Sequence, residues 1–432
     1  MTNDKLKMTN VGVPAAHYLN NVAKRLIHLT FVIGHLTLMV VLLTAAAYAE
    51  TLPLEILPIT TKVSSGTNVP TQLQSNIGGM SIGYVKVGTQ DVFSLDWRPD
   101  FKIGPWGLGF DVNLGLGDNK PAGYENLVIR YAEYDDSKKG LRYGVLDNVT
   151  LGHGLIMSNY STRLGNQVLL TNEQVGLKGY YDFERGVARV MGTKSNIYYA
   201  RAEERINPVL TLGQYYVVDS TGRKVTLPGG TTQQYSPVSA IGVDATYQLP
   251  ANWQAYAEAG QLMNYGNGVT AGLSWAYDAM VANLNFSAEY RMLDKGFVPS
   301  YFDVDYETNP VNLSSAEASG QAKNGYLAQL GVNALGLATL TAAYESYQGS
   351  NSTLTADLSA KLSDQVSLSG YYKQPNFVDY RSLTLEEGSI LGADIAIKIN
   401  PMTTLVTHYK KAWDPALGKV ASTQYYEVVF SF

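Results

Sequence analysis

The 432-residue sequence contains no cysteine, which excludes disulfide bonds, thiolate metal sites and a cysteine nucleophile. Histidine is nearly as scarce, because only His153 and His408 lie beyond residue 49, and this leaves little for acid–base or metal chemistry. Charged residues make up 16% of the chain, compared with roughly 25% in soluble domains. Acidic residues outnumber basic ones by 37 to 32, so the chain lacks the basic footprint of a nucleic-acid-binding protein. The sequence predicts no cofactor.

Long apolar runs are also missing from most of the chain, although hydrophobic residues account for 45% of it. The mean hydropathy of −0.08 excludes a protein made of many membrane-spanning helices. A transmembrane β-barrel gives this combination, because its apolar lipid face and polar lumen face cancel in any running average.

The one long apolar run lies near the start of the sequence. Lys24 and Arg25 precede the run Leu26 to Leu43, and the small-residue site Ala47-Tyr48-Ala49 follows. This order is typical of a secretory signal peptide, and it predicts cleavage before Glu50. A single membrane-anchoring helix is the alternative. We therefore divide the chain into a signal peptide (1–49), a short N-terminal segment in the periplasm or the lumen (50–78) and a barrel (79–432).

From about Gly79 onward the sequence repeats a unit of roughly ten alternating residues followed by a turn, which is the signature of a transmembrane strand. In the stretch Trp106 to Leu116, for example, large apolar residues alternate with glycine and polar residues. Such a strand has one face for lipid and one for water. Strands are predicted near Gly79 to Val87, Phe93 to Ile103, Trp106 to Leu116, Tyr124 to Tyr134, Leu141 to Met157, Val175 to Asp182, Gly186 to Thr193 and Ile197 to Glu204, with about twelve more from Val209 onward.

The fold class predicted is therefore all-β, an antiparallel up-and-down barrel of about 20 strands, with 18 as the alternative. An even number follows if both termini lie on the periplasmic side. Long and short connections alternate along the chain, and aromatic residues sit near strand ends, as at the two interfaces of a membrane. A soluble all-β protein remains the alternative fold, because alternation alone does not distinguish lipid from a protein core.

The last strand, Ser422 to Phe432, places aromatic residues at alternate positions and stops on an aromatic residue. This strand resembles the terminal strand that Gram-negative outer-membrane proteins present to the barrel-assembly machinery. The resemblance implies that Tyr426, Phe430 and Phe432 form the assembly signal. It also implies a location in the outer membrane, surrounded by lipid, with both termini in the periplasm.

A barrel of about 20 strands is too wide for side chains to fill, so its lumen should hold water unless a segment plugs it. The alternation assigns nine acids and five bases to the lumen, which predicts a weak preference for cations. The long loop from Leu293 to Asn324 is the predicted constriction, and its acids, spaced two apart, would share one face of an extended segment. The candidate pore-lining or constriction residues are Arg291, Asp303, Asp305, Glu307, Glu289, Glu345, Asp357, Lys361, Lys373, Asp394, Lys398 and Lys410.

The function predicted is a porin-like channel for passive diffusion of small hydrophilic solutes, without a catalytic step. A plugged barrel with a structural or surface-binding role is the second hypothesis. A barrel enzyme that uses His153 and Ser158 as base and nucleophile is the third. Both residues belong to the glycine-rich stretch Asp147 to Tyr160, which alternates less than its surroundings. This stretch resembles predicted outer-membrane barrels of unassigned function, and that resemblance implies only a location and a fold.

Overall fold

The structure is a computed structural model, which describes residues 79–87, 90–116, 127–163, 174–226, 232–279, 281–307, 310–314, 316, 320–334, 336–379, 389–414 and 419–430. The predicted signal peptide, the segment 50–78 and Phe432 lie outside the described residues. No helix within the described ranges is long and apolar enough to cross a membrane.

The described residues form 23 β-strands, which we number in chain order. The strands are β1 (Gly79–Val87), β2 (Gln90–Arg98), β3 (Asp100–Ile103), β4 (Trp106–Leu116), β5 (Leu127–Asp135), β6 (Lys139–Gly144), β7 (Gly176–Phe183), β8 (Gly186–Thr193), β9 (Ile197–Asn207), β10 (Leu210–Asp219), β11 (Lys224–Thr226), β12 (Thr232–Gln234), β13 (Val238–Gln248), β14 (Trp253–Leu262), β15 (Gly266–Ala279), β16 (Ala282–Leu293), β17 (Lys323–Ala334), β18 (Ala338–Tyr347), β19 (Ser352–Lys361), β20 (Val366–Phe377), β21 (Ile390–Asn400), β22 (Thr403–Asp414) and β23 (Lys419–Phe430).

All strands except the small hairpin β11–β12 belong to one antiparallel sheet of 21 strands. Strands β2 and β3 both pair with β4, and they are separated only by Pro99, which has no N–H to donate. Counted as one crossing, they reduce the sheet to the 20 strands that the sequence predicted. The last strand pairs with the first, from Met80–Phe430 to Tyr84–Tyr426, so the series of strand pairings is circular.

The sheet has an apolar outer face, as the alternation predicted, and its inner face is polar except for an apolar patch on β8 to β16. Val243 and Leu273 point outward and are 52% and 46% exposed, whereas Asp244 points inward and is 8% exposed. The same alternation places Tyr290 outside and its chain neighbour Arg291 inside. An apolar exterior around a polar interior is the inverse of a soluble barrel, and it suits a lipid surround.

Connections at one end of the barrel, which we call the short-turn end, are two to four residues long. The connections at the opposite end, the loop end, include 145–175, 220–237 and 294–322. The long connections thus all lie at the loop end, which also has short ones such as 194–196 and 263–265. Outer-membrane barrels with short periplasmic turns and longer extracellular loops have this arrangement.

One predicted strand is wrong. Leu141 to Met157 was predicted to cross the membrane, but β6 ends at Gly144, and residues 145–163 leave the sheet. The backbone at Gly144, Gly152 and Gly154 has positive φ angles of 131°, 58° and 91°, which an extended strand does not allow. These glycines turn the chain inward from the loop end.

Candidate functional site

Two segments from the loop end fold into the lumen and pair with each other. We define the plug as residues 145–163 together with residues 294–307. Their backbones are joined by hydrogen bonds from Ser158 N to Phe302 O, at 3.0 Å, and from Phe302 N to Ile156 O, also at 3.0 Å. A third runs from Ser300 N to Leu155 O at 2.8 Å. The two segments therefore form one structural unit.

The plug covers an apolar part of the barrel wall. Ile156, Phe302 and Tyr306 of the plug are buried and belong to one hydrophobic cluster with inward-facing residues of β8 to β16. Burial of this kind stabilises the inserted position by about 25 cal/mol per Å² of apolar surface. The wall residues of the cluster are Met191, Ile197, Tyr199, Tyr215, Val217, Val238, Ala240, Leu262 and Leu293. Water is thus excluded from this half of the lumen.

A buried carboxylate of the wall, Glu258 of β14, fastens residues 145–163. Its Oε2 accepts the backbone N–H of His153 at 2.6 Å and that of Leu155 at 3.3 Å, while its Oε1 accepts the hydroxyl of Tyr215. The side chain is 1% exposed, so these bonds replace the water it has lost. Close approach requires glycine at Gly152, because a Cβ there would lie 2.7 Å from Oε1 of Glu258.

A second carboxylate, Glu307, fastens the other inserted segment. Arg223 donates from Nη1 to its Oε2 at 2.7 Å, and Ser195 donates to its Oε1, also at 2.7 Å. The hydroxyl of Tyr160 donates to Oε1 as well, which ties the two plug segments together. Arg223 is itself paired with Asp219 at the end of β10. Glu307 is thus a buried structural group.

This arrangement corrects the prediction for the acids of the long loop. Residues 304–307 form a turn rather than an extended segment, and Asp303 Oδ1 accepts the backbone N–H of Asp305 at 3.0 Å. Asp303, Asp305 and Glu307 therefore do not share one face. The spacing argument fails because a turn rotates successive side chains away from the period of two that a strand has.

The opposite half of the lumen contains a cavity of about 250 Å³ between the plug and strands β16 to β20. Most of its lining side chains are neutral hydrogen-bonding groups. The lining residues are Thr150, His153, Ser158, Asn159, Arg291, Ser300, Leu327, Gln329, Ala343, Glu345, Thr353, Thr355 and Lys373. Three of the predicted constriction residues, Arg291, Glu345 and Lys373, therefore meet at this cavity.

Arg291 is held in an ion-pair network on the cavity wall. Its Nη2 lies 2.5 Å from Glu289 Oε1, and its Nη1 donates to Glu345 Oε1 at 2.9 Å and to the Tyr347 hydroxyl at 3.0 Å. Arg291 is 2% exposed, whereas the Glu345 side chain keeps 35% of its surface accessible. The guanidinium is thus neutralised by two glutamates, and one of them faces the cavity.

Lys373 contrasts with Arg291. Within the described parts of the chain, its ammonium forms no ion pair within 4.0 Å, and it lines the cavity beside Thr355, its partner in register on β19. Asp303 of the plug lies within electrostatic range of it. Burial, reinforced by the neighbouring Asp305, raises the pKa of Asp303 to about 7, while Lys373 acts in the opposite direction.

The remaining predicted residues lie along the wall below the cavity or at its lower rim. Asp357 is half-buried on β19, Asp394 pairs with His408 at 2.8 Å, and Lys410 is half-buried on β22. Lys361 and Lys398 lie at the short-turn end and are exposed, and Lys361 pairs with Asp364. These two lysines line the mouth, away from the cavity.

The proposed nucleophile pair of the enzyme hypothesis is not assembled. His153 Nε2 lies 3.0 Å from the hydroxyl of Thr246, and its ring stacks on Tyr256 at 4.1 Å between centroids. Burial lowers the pKa of His153 to about 4, so the ring is neutral at pH 7. No hydrogen bond joins His153 to Ser158 in the described structure, although both line the cavity.

The sequence did not reveal what Glu258 and Arg223 do. Glu258 was assigned to the lumen by alternation, but its partners in the plug, His153 and Leu155, lie more than 100 positions away in the chain. The interrupted alternation of Asp147 to Tyr160 was the available signal, because an apolar stretch that leaves the sheet must be buried elsewhere.

The terminal strand, β23, pairs with the first strand, β1. Tyr426 is 49% exposed and lies opposite Tyr84, while Phe430 lies opposite Met80. Phe432 lies outside the described residues.

No protein-family model matches the sequence, and no curated protein matches it. Solved structures similar to this chain are outer-membrane β-barrels. Wzi of Escherichia coli, an outer-membrane protein involved in group 1 capsule assembly and described as a carbohydrate-binding β-barrel, has a TM-score of 0.37 and 10% identity over 83% of this chain and 85% of that chain.

Two porin structures from Pseudomonas aeruginosa give similar values. OccK10 (OpdN) has a TM-score of 0.38 and 12% identity over 82% of this chain and 97% of that chain. OccD3 (OpdP) has a TM-score of 0.38 and 13% identity over 87% of this chain and 94% of that chain. The chain is an all-β protein, and its described strands form one antiparallel sheet in which the last strand pairs with the first.

Proposed function

We propose that this protein is an outer-membrane channel for passive diffusion of small hydrophilic solutes, and that solutes pass through the half of the lumen that the plug leaves open. The observation that carries the proposal is the asymmetry of the lumen. The plug buries the apolar wall of β8 to β16, whereas hydroxyl, amide and charged side chains line the cavity beside β16 to β20.

Polar residues continue below the cavity toward the short-turn end. Thr341 and Asp357 are partners in register on β18 and β19, and Ser369 and Asp394 are partners in register on β20 and β21. A polar wall offers hydrogen bonds at each step to a solute that has given up part of its hydration shell. An ion-pair network such as that of Arg291 also keeps the wall close to neutral, which suits weak rather than strict ion selectivity.

The proposed ionic preference is a weak one for cations, in line with the excess of acids over bases among lumen positions. The pairing of Asp244 with Arg201 reduces this excess. Reversal-potential measurements in a salt gradient test it. A strong anion preference would contradict the proposed charge balance without contradicting the channel.

The loop end faces the cell surface in this proposal, and both termini lie in the periplasm. The assembly signal is Tyr426, Phe430 and Phe432, recognised by the barrel-assembly machinery. Removal of Phe432 should reduce the heat-modifiable folded form in outer membranes, while refolding in detergent stays unchanged. Equal loss in both settings would indicate a structural role instead.

The principal experiment is reconstitution into planar lipid bilayers. A channel predicts discrete, ohmic current steps and swelling of liposomes in small sugars. The structural or surface-binding barrel, in which the plug closes the lumen, predicts neither result.

A further inference from the structure

We propose that the outer face of strands β8 to β10 and β13 is a contact surface between two copies of this protein, centred on the side chain of Gln214. This inference goes beyond the proposed channel, because it concerns the lipid-facing side of the barrel wall. It starts from a polar side chain that lies among apolar ones on that face.

Gln214 lies at the middle of the outward face of β10. Alternation turns Tyr215 toward the lumen, where it is 3% exposed, and turns Gln214 to the outside, where it is exposed. Leu210 and Val218, the first and last outward residues of the strand, lie four positions away on either side. At roughly 3.3 Å per residue, about 13 Å of strand separates Gln214 from each of them. The carboxamide therefore lies at the depth of the hydrocarbon and not at that of the headgroups.

The outward neighbours of Gln214 are apolar. Its partners in register are Ala202 on β9 and Val243 on β13, and Leu212 and Tyr216 flank it on β10. Among the residues that the structure describes, its carboxamide forms no hydrogen bond. A carboxamide has two donors and an acceptor oxygen, and hydrocarbon cannot pair with either. Contact with lipid alone is therefore unfavourable for this side chain.

Other outward polar residues have a partner or lie near water. Gln424 on β23 donates from Nε2 to the hydroxyl of Tyr426 at 2.8 Å. Glu204 on β9 lies opposite Gly186, the first residue of β8, and is thus at the short-turn end. Gln214 differs from both, because it is central in its strand and has no partner within the described structure.

The occupant that suits this face is a second copy of the chain. A partner at this depth has to accept and donate hydrogen bonds at once, and another carboxamide does so by exchanging two N–H···O bonds. Across a two-fold axis along the membrane normal, a residue near the axis meets its equivalent in the other copy. Gln214 can therefore supply both sides of the pair.

The side chains beside Gln214 leave room for this approach. Ala202 is its register partner on β9, and Ala188 of β8 lies opposite Ala202 in turn. Ala200, at the next outward position of β9, is exposed as well. Small side chains let two membrane-spanning surfaces come close enough for polar groups to bond. The shape of the face thus agrees with the contact that the chemistry of Gln214 requires.

The test is disulfide cross-linking of the full-length protein in outer membranes, which is straightforward because the chain contains no cysteine. Leu212→Cys places a thiol beside Gln214, and Ile395→Cys places one on β21, outside this face. The two native side chains are matched in exposure, at 42% and 43%. With the membrane-permeant oxidant copper phenanthroline, Leu212→Cys should form a homodimer and Ile395→Cys should stay monomeric. Heat-modifiable migration reports folding, and Ala202→Cys replaces Leu212→Cys if the latter does not fold.

The role of Gln214 is tested by adding Gln214→Leu to the Leu212→Cys protein. Loss of two hydrogen bonds across the contact should lower the association constant about tenfold, and the cross-linked fraction should fall with it. Folding should be unimpaired, because an apolar residue suits the lipid face. Gln424→Leu in the same protein is the matched control and should leave cross-linking unchanged, since Gln424 is already paired with Tyr426.

Equal cross-linking at positions 212 and 395, none at position 212, or cross-linking that survives Gln214→Leu would overturn the contact. A cross-linked product whose mass shows a different protein would overturn the second copy as the partner. Conductance is measured separately on the wild type. A conducting protein that does not cross-link therefore refutes this inference alone, and a cross-linked protein that does not conduct refutes only the channel.

Discussion

The carboxylate of Glu258 accepts the backbone N–H of His153 at 2.6 Å, and this hydrogen bond joins the barrel wall to the plug. The two residues are separated by 105 positions in the sequence. The barrel wall beneath the plug is apolar. By holding the plug in place, the carboxylate keeps this apolar wall from contact with water.

Replacing Glu258 with alanine should loosen the plug. Each hydrogen bond to a carboxylate contributes about 1.5–3 kcal/mol, and the variant also leaves the amides of His153 and Leu155 buried without an acceptor. Larger and noisier single-channel currents are expected in planar bilayers. The matched control is Asp244→Asn on the neighbouring strand, which disturbs a buried ion pair with Arg201. This pair lies within electrostatic range of His153, but Asp244 forms no hydrogen bond with the plug in the described structure. Similar currents for both variants would show that the hydrogen bonds of Glu258 do not determine the pore size.

Gly152→Ala tests the same contact from the plug side. The residue has a φ of 58°, and a left-handed conformation costs a non-glycine residue roughly 1–2 kcal/mol. A Cβ would also lie 2.7 Å from Glu258 Oε1. Gly336→Ala is the control, because its φ is 65° and its Cβ would meet nothing within 4 Å. Gly152→Ala should alter the current, whereas Gly336→Ala should lower only the thermal stability.

Arg291→Met should make the channel more cation-selective. The change leaves Glu289 and Glu345 without their shared cation, and it adds one net negative charge at the cavity. Breaking a buried pair costs about 3–5 kcal/mol, and the accessible Glu345 should keep the loss below that range. Reversal potentials in a potassium chloride gradient measure the selectivity. No shift relative to Lys361→Met would show that Arg291 lies off the ion path.

Selectivity should also depend on pH through Asp303. Its pKa is raised to about 7 by burial and by Asp305, so the folded protein retains a proton there that the unfolded chain releases near pH 4. Stability from this group is therefore present at low pH and is lost as pH rises through about 7. Lowering the pH from about 8 to about 5 should shift selectivity toward anions. If the Asp303→Asn variant shows the same change of selectivity with pH as the wild type, the effect belongs to another titratable group.

Strand positions were predictable because alternation is a local property. The bounds of β4, Trp106–Leu116, and of β8, Gly186–Thr193, agree with those that the sequence predicted. The same alternation placed Arg291 and Glu289 on one inner face, since residues two apart on a strand share a face. Glu345 joins them through strand register, because Leu327 lies opposite both Glu289 and Glu345.

The plug was not predictable in the same way. Residues 145–163 have no strand period, and their partners are set by contacts between distant parts of the chain. The segment was predicted to be a strand because it contains apolar residues such as Ile156 and Met157, which in the structure are buried in the plug. The glycines at 144, 152 and 154 break that strand, and Glu258 provides the acceptor that fixes the inserted backbone.

The central claim is that the open half of the lumen conducts, and single-channel recording of the wild-type protein in planar bilayers tests it most directly. The account predicts discrete ohmic steps that grow when Glu258→Ala loosens the plug and stay unchanged in Asp244→Asn. A correctly folded wild-type barrel that gives no steps would contradict it.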